Sequence, residues 1–171
     1  MNNYFTKEGL EFKLKQIKAQ EKKVQETGSE AGKEAGANCD WHDNFGYEDA
    51  KRRLEMESTT LKKLKDEVSG AVLINIHEQN DHVMIGVTVK VLMNGEEKEF
   101  TIGAFGETDP PNGLIAYNSP LARALMQMEE GDTKKNQIGG KVMDIELVKI
   151  LPPSYRYYHL IKKQWRTLVS G

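Results

Sequence analysis

Asn38-Cys39-Asp40-Trp41-His42-Asp43-Asn44 is the stretch on which the fold turns, because it joins two long heptad-patterned segments at their far ends. On its near side Leu10, Leu14, Ile17, Glu21, Val24, Gly28, Ala31 and Ala35 follow at spacings of four and three, the seam of a coiled-coil helix. On its far side Tyr47, Ala50, Leu54, Glu57, Leu61, Leu64 and Val68 step at three and four. Two seams of matching length joined by a turn bury best against each other, which predicts an antiparallel helical hairpin with residues 38–44 at its tip. A helix from Thr6 to Gly36 would hold Asp40 and Asp43 on the order of 45 Å from its base, at about 1.5 Å per residue.

The ends of these helices carry recognisable signals. Thr6 is placed to cap the first, although Gly9 stands where a capping box would have Glu or Gln. Asp43 or Asn44 caps the second, and Ser69-Gly70 stops it. Gly28, Gly32 and Gly36 recur every four residues, each lowering helix propensity by roughly 1 kcal/mol. Close approach of the two helices, or fraying near the tip, accounts for them; a tip ordered only on docking is the alternative.

After Gly70 the hydrophobic period changes from 3.5 to 2. Residues 71–76, 83–93 and 98–105 read as strands, with Asn94-Gly95 as a hairpin turn. Ser119-Pro120 opens a short helix over 121–128, and Gly139-Gly140 links two last strands, 133–138 and 141–151. The expected fold class is α+β: a coiled-coil hairpin over 1–70, an antiparallel sheet domain with one short helix over 71–151, and an appendix over 152–171. That appendix has four basic residues, no acid, and Tyr155, Tyr157, Tyr158 and Trp165. It is read as a docking element dispensable for the fold, with packing back on the sheet as the alternative.

Composition narrows the function. A net charge of −2 argues against bulk nucleic-acid binding through a basic surface. No apolar run is long enough to span a membrane, and the start of the chain lacks the pattern of a signal peptide. With a single cysteine, Cys39, no internal disulfide framework is possible, so the cytoplasm is the expected compartment; a monomer is also expected.

The chemistry is expected at the tip. Asp40 and Asp43 offer two carboxylates that can converge on one hard cation or its water, although two ligands are too few to hold Mg²⁺ alone, and both acids can equally be helix-terminus caps. A transition-metal site from Cys39 and His42 is disfavoured, since neighbouring residues in a short turn seldom close a tetrahedron. Trp41 is costly at the end of a rod unless it packs on the helices or on a partner. Lys51, Arg52 and Arg53, just beyond the tip, form a solvated face or a contact for a nucleic-acid strand.

These residues resemble the bacterial GreA/GreB transcript cleavage factors. The tip motif of that family is matched by Asp40, Asp43, Asn44, Tyr47 and Ala50, its start by Thr6, Gly9 and Leu10, and its C-terminal motif by Ser119-Pro120-Leu121-Ala122-Arg123-Ala124-Leu125. The resemblance spans about residues 4–151 and implies an FKBP-like sheet domain that docks on RNA polymerase through Ser119, Pro120 and Arg123. It implies a hairpin that enters the polymerase secondary channel. There Asp40 and Asp43, supported by Trp41, His42, Asn44 and Tyr47, share the second Mg²⁺ of the polymerase active site, so that backtracked nascent RNA is hydrolysed near its 3′ end. The chain then has no cofactor of its own and is not itself an enzyme. Three departures stand out: Asp43 in place of the usual Glu, Trp41 and His42 between the acids, and the appendix from Pro152. The competing readings are a channel-binding regulator or inhibitor without cleavage activity and a prolyl isomerase, the latter lacking a visible aromatic pocket because Phe100, Phe105 and Tyr117 are as well placed in the core.

Overall fold

The structure is a computed structural model that describes residues 2–37, 45–76, 81–153 and 157–162. The chain divides into two compact units, Met1–Asn3 with Leu10–Val72 and Tyr4–Gly9 with Leu73–Gly171. Strand β1 (Asn3–Phe5) precedes helix α1 (Lys7–Ala37), and helix α2 (Phe45–Val68) leads into β2 (Ala71–Leu73). The pair β1 and β2 forms a two-stranded sheet; β2 falls within the expected strand 71–76, whereas the three-residue β1 has no readable period.

The helical unit is an antiparallel hairpin. Residues ever later in α1 meet residues ever earlier in α2: Lys13 Nζ lies 2.6 Å from Glu67 Oε2, Gln20 Nε2 donates to the Glu57 carbonyl at 3.1 Å, and Arg53 Nη1 lies 3.7 Å from Glu30 Oε2. The α2 seam is the expected one, with Tyr47, Leu54, Glu57, Leu61, Leu64 and Val68 half-buried and Ala50 buried. The α1 seam is not. It runs through Leu10, Lys13, Ile17, Gln20, Val24, Thr27 and Ala31, while Leu14 is 45% exposed and Glu21 turns outward to pair with Lys65 at 2.7 Å. Both registers have heptad spacing, and the polar one is accommodated because Lys13 and Gln20 lay their aliphatic stems in the seam and find partners at its edge. At Gly28 and Gly32 the expected close approach of the two helices is not found. A Cβ on Gly28 would meet Leu54 Cδ1 at 3.8 Å, an ordinary contact, and one on Gly32 would meet nothing within 4 Å.

The second unit is built on a five-stranded sheet of order β5-β4-β3-β7-β6, from β3 (Thr88–Met93), β4 (Glu96–Gly103), β5 (Leu114–Ala116), β6 (Thr133–Ile138) and β7 (Lys141–Leu151). All neighbours are antiparallel except β4 and β5, which run parallel with Thr101 opposite Leu114. The Asn94-Gly95 turn takes left-handed φ values of 52° and 85°, as a two-residue hairpin requires, and Gly139-Gly140 does the same at 60° and 81°. Pairing of β3 with β7 shifts between Lys90 and Val91, where Val148 is the extra residue of a bulge. Helix α3 (Pro120–Leu125) is capped by the Ser119 hydroxyl, which accepts from the Ala122 amide. Its Ala122 and Leu125 close one core with Val83, Val87, Val89, Val91, Ile102, Ile145 and Leu147.

Part of the appendix packs on the sheet domain. Residues 157–162 are helical, and Tyr157, Leu160 and Ile161 are buried in a second cluster with Leu114 of β5. Packing back on the sheet domain, the alternative reading, therefore holds for these residues, because β5 ends the sheet and exposes an apolar edge to cover. Trp165 and the rest of 163–171 lie outside the described residues.

Candidate functional site

Asp40, Trp41, His42, Asp43 and Asn44 lie outside the described residues. Their flanks do not: α1 ends at Ala37 and α2 begins at Phe45, so the acids occupy the link between the two helices of the hairpin. Tyr47 is half-buried and Ala50, 1% exposed, is the most deeply buried residue of α2, which sets the seam directly below the tip.

Of the expected strand-contacting cations, Arg52 Nη2 sits 2.8 Å from Asp49 Oδ1, and Arg53 reaches Asp49 Oδ2 at 3.1 Å as well as Glu30. Among the described residues Lys51 has no ion pair and is exposed. Next to them Phe45, at the first position of α2, is 78% exposed, a feature that the sequence reading passed over.

The expected docking residues are near one another through α3. Ser119 is half-buried by its capping bond, while Pro120 and Arg123 are exposed. Tyr117, just before this helix, and Met126 and Gln127, just after it, line an apolar pocket of ≈ 410 Å³ together with Tyr4, Ile74, Asn75, Met84 and Ile85. Tyr117 also makes an edge contact with Tyr4 at 5.5 Å, Phe105 packs on Phe5 at 5.2 Å, and Phe100 packs against the core.

A polar centre that no sequence signal announced lies in the sheet unit. Glu107 is 0% exposed. Its Oε1 accepts from the Thr6 hydroxyl at 2.6 Å, and its Oε2 accepts from the Ala104 amide at 2.8 Å and the Tyr157 hydroxyl at 2.7 Å. The Thr6 hydroxyl oxygen in turn accepts from the Gly9 amide at 3.1 Å, so the cap of α1 and the appendix share one carboxylate. Gly103 lets the turn close, since a Cβ there would stand 2.5 Å from the Glu107 carbonyl oxygen. Burial pushes the Glu107 carboxyl above its usual range, while the bonds from Thr6, Ala104 and Tyr157 pull it back. Burial, and then the Glu107 charge, push the Tyr157 phenol up. With donors on both carboxylate oxygens, and with Thr6 and Tyr157 themselves buried, this centre is a structural tie.

Among the described residues no group of three or more His, Cys, Asp or Glu side chains could hold a metal ion, and no helix is long and apolar enough to cross a membrane.

Comparison with known proteins agrees with the motifs. A family profile described as "Transcription elongation factor, GreA/GreB, C-term" matches residues 78–152. The transcription elongation factor GreA of a Nitratiruptor species is 35% identical over 158 residues, covering 91% of this chain and 91% of that protein. GreA of a Jannaschia species is 32% identical over 145 residues, 84% of this chain and 91% of that one. Among solved structures, GreA factor homolog 1 (Gfh1) of Thermus thermophilus aligns with a TM-score of 0.43 at 22% identity, over 88% of this chain and 99% of that chain.

Proposed function

The chain belongs to the GreA/GreB family of transcription elongation factors, and from that membership we propose that it binds RNA polymerase, inserts its helical hairpin into the secondary channel and stimulates cleavage of backtracked nascent RNA. The observation that carries this reading is the hairpin itself: its two helices are packed through their seams and lead to a single short link that holds Asp40 and Asp43.

Carboxylate oxygens are the donors a hard cation takes, so the acids fit the Mg²⁺ of a polymerase active site, and as a pair they are too few to retain it alone. When bound, that ion supplies an activated water and charge neutralisation for phosphodiester hydrolysis. The chain's own part is to deliver the two carboxylates. Ala50 and Tyr47 hold the helices together below the tip, and Trp41, His42 and Asn44 support it. Docking falls to Ser119, Pro120 and Arg123 beside the pocket of Tyr117 and Met126, which suits an apolar side chain of the partner. Lys51, Arg52 and Arg53 then face the nascent strand, with Lys51 the readiest phosphate contact because Arg52 and Arg53 are already paired.

Asp43 supports a second reading, a channel-binding regulator without cleavage activity, because its side chain is one methylene shorter than the family's Glu. Incubation of the chain with a stalled, backtracked polymerase complex separates the two. RNA shortened from its 3′ end supports cleavage; polymerase retention and slowed elongation without shortening support the regulator.

A further inference from the structure

Among the described residues no large apolar side chain is more exposed than Phe45, at 78%. It is outside the hairpin seam, which α2 enters at Tyr47 and Ala50, so helix packing gives no reason for an aromatic ring there. The ring borders an open cleft of ≈ 370 Å³ with Glu48, Asp49, Lys51, Arg52 and Glu55. Arg52 follows Phe45 by seven residues, and Met56, 65% exposed, by eleven, so the three lie on the same outward face.

What this ring meets is constrained by its place in the chain. Phe45 follows Asp43 by two residues, and two residues of polypeptide reach no further than about 7 Å. Whatever phosphodiester Asp43 approaches, Phe45 is beside it. The cleft sets three acids, Glu48, Asp49 and Glu55, against Lys51 and Arg52, so beside the ring it offers a phosphate no net attraction, whereas the neutral face of a base stacks on an aromatic ring whatever its sequence. Lys51 and Arg52, one to two turns further along, then serve the backbone of the same strand.

We propose that Phe45 is a stacking platform for a base of the extruded RNA 3′ segment next to the hydrolysed bond. This rests on the channel-insertion reading and adds a contact made only when RNA has been extruded. It makes Phe45 a positioning residue that fixes the strand while the acids act.

The test compares affinity of the full chain for two polymerase complexes: one halted with the RNA 3′ end in the active site, and one backtracked with an extruded 3′ segment. Phe45→Ala should weaken binding to the backtracked complex on the order of tenfold and leave the other unchanged, with Phe45→Tyr restoring the affinity and Phe45→Leu failing to. Unchanged helicity by circular dichroism shows that α2 is intact in each variant. Equal losses on both complexes would assign the ring to the protein wall of the channel, a Leu as good as Phe would reduce it to an apolar contact, and no loss would remove its role; each overturns the inference. If the wild-type chain binds but does not shorten RNA, the cleavage reading alone fails, since the difference in affinity still reports the stack. Binding to neither complex overturns both.

Discussion

Tyr157→Phe removes one hydroxyl from a buried centre and leaves the ring in place. The hydroxyl donates to Glu107 Oε2 at 2.7 Å, and both residues are almost wholly inaccessible, 1% and 0% exposed. Water cannot replace the lost donor without opening the cluster of Leu114, Leu160 and Ile161. A hydrogen bond to a charged group contributes about 1.5–3 kcal/mol. For a chain of this length each kcal/mol shifts melting by roughly 2–4 °C, so the variant should melt roughly 3–12 °C lower. Tyr158→Phe is the control: Tyr158 is 51% exposed, and its variant should stay within about 2 °C of wild type. The assay is thermal melting at neutral pH and again in acid, where protonation of Glu107 removes the charge that the Tyr157 donor serves, so the deficit should narrow. A Tyr157→Phe variant that melts with wild type at neutral pH would refute the tie between the appendix and Glu107.

Three further outcomes follow from the same packing. Truncation after Leu151 should lower the melting temperature by more than Tyr157→Phe does, because it also exposes Leu114 and removes two buried aliphatic side chains at about 1.5–3 kcal/mol each; unchanged melting would return the appendix to a purely docking role. Because burial raises the Glu107 carboxyl above its ordinary value of 4.5, the native state binds that proton before the unfolded chain does; this contribution to stability rises as pH falls through the folded pKa towards 4.5, and Glu107→Gln should abolish that rise in pH-dependent melting. Gly28→Ala and Gly32→Ala should each stabilise the hairpin by about 0.8–1 kcal/mol, since an added Cβ meets no obstacle; a lower helical melting temperature by circular dichroism would contradict this.

Periodicity revealed as much of the fold as depends on periodicity. The α2 seam and the two glycine-containing hairpin turns could be read because each pattern has a single physical solution. The α1 seam could be read only in part, since Leu14 and Lys13 both satisfy heptad spacing and the Glu67 partner of Lys13 lies across the hairpin. Strand β5 escaped because it is three residues long and pairs in parallel with β4. Glu107 looked like one more acid in a loop between glycine and threonine; its burial depends on Thr6 and Tyr157, 101 and 50 residues away. The appendix was ambiguous for a related reason: aromatic and basic residues suit both a partner surface and an uncovered sheet edge, and only the packing of Tyr157, Leu160 and Ile161 over Leu114 decides between them. At the tip the acids were legible as a motif and Phe45 was not, because exposure of an aromatic residue at a helix start has no sequence signature.

On the proposed function, Asp40 and Asp43 act inside the polymerase. The most direct test is to measure RNA length in a backtracked complex after adding wild-type chain, Asp40→Ala or Asp43→Ala, with binding of each to polymerase measured in parallel. The expected result is shortened RNA with wild type only and equal binding by all three. Cleavage that persists when both acids are replaced by alanine would contradict it.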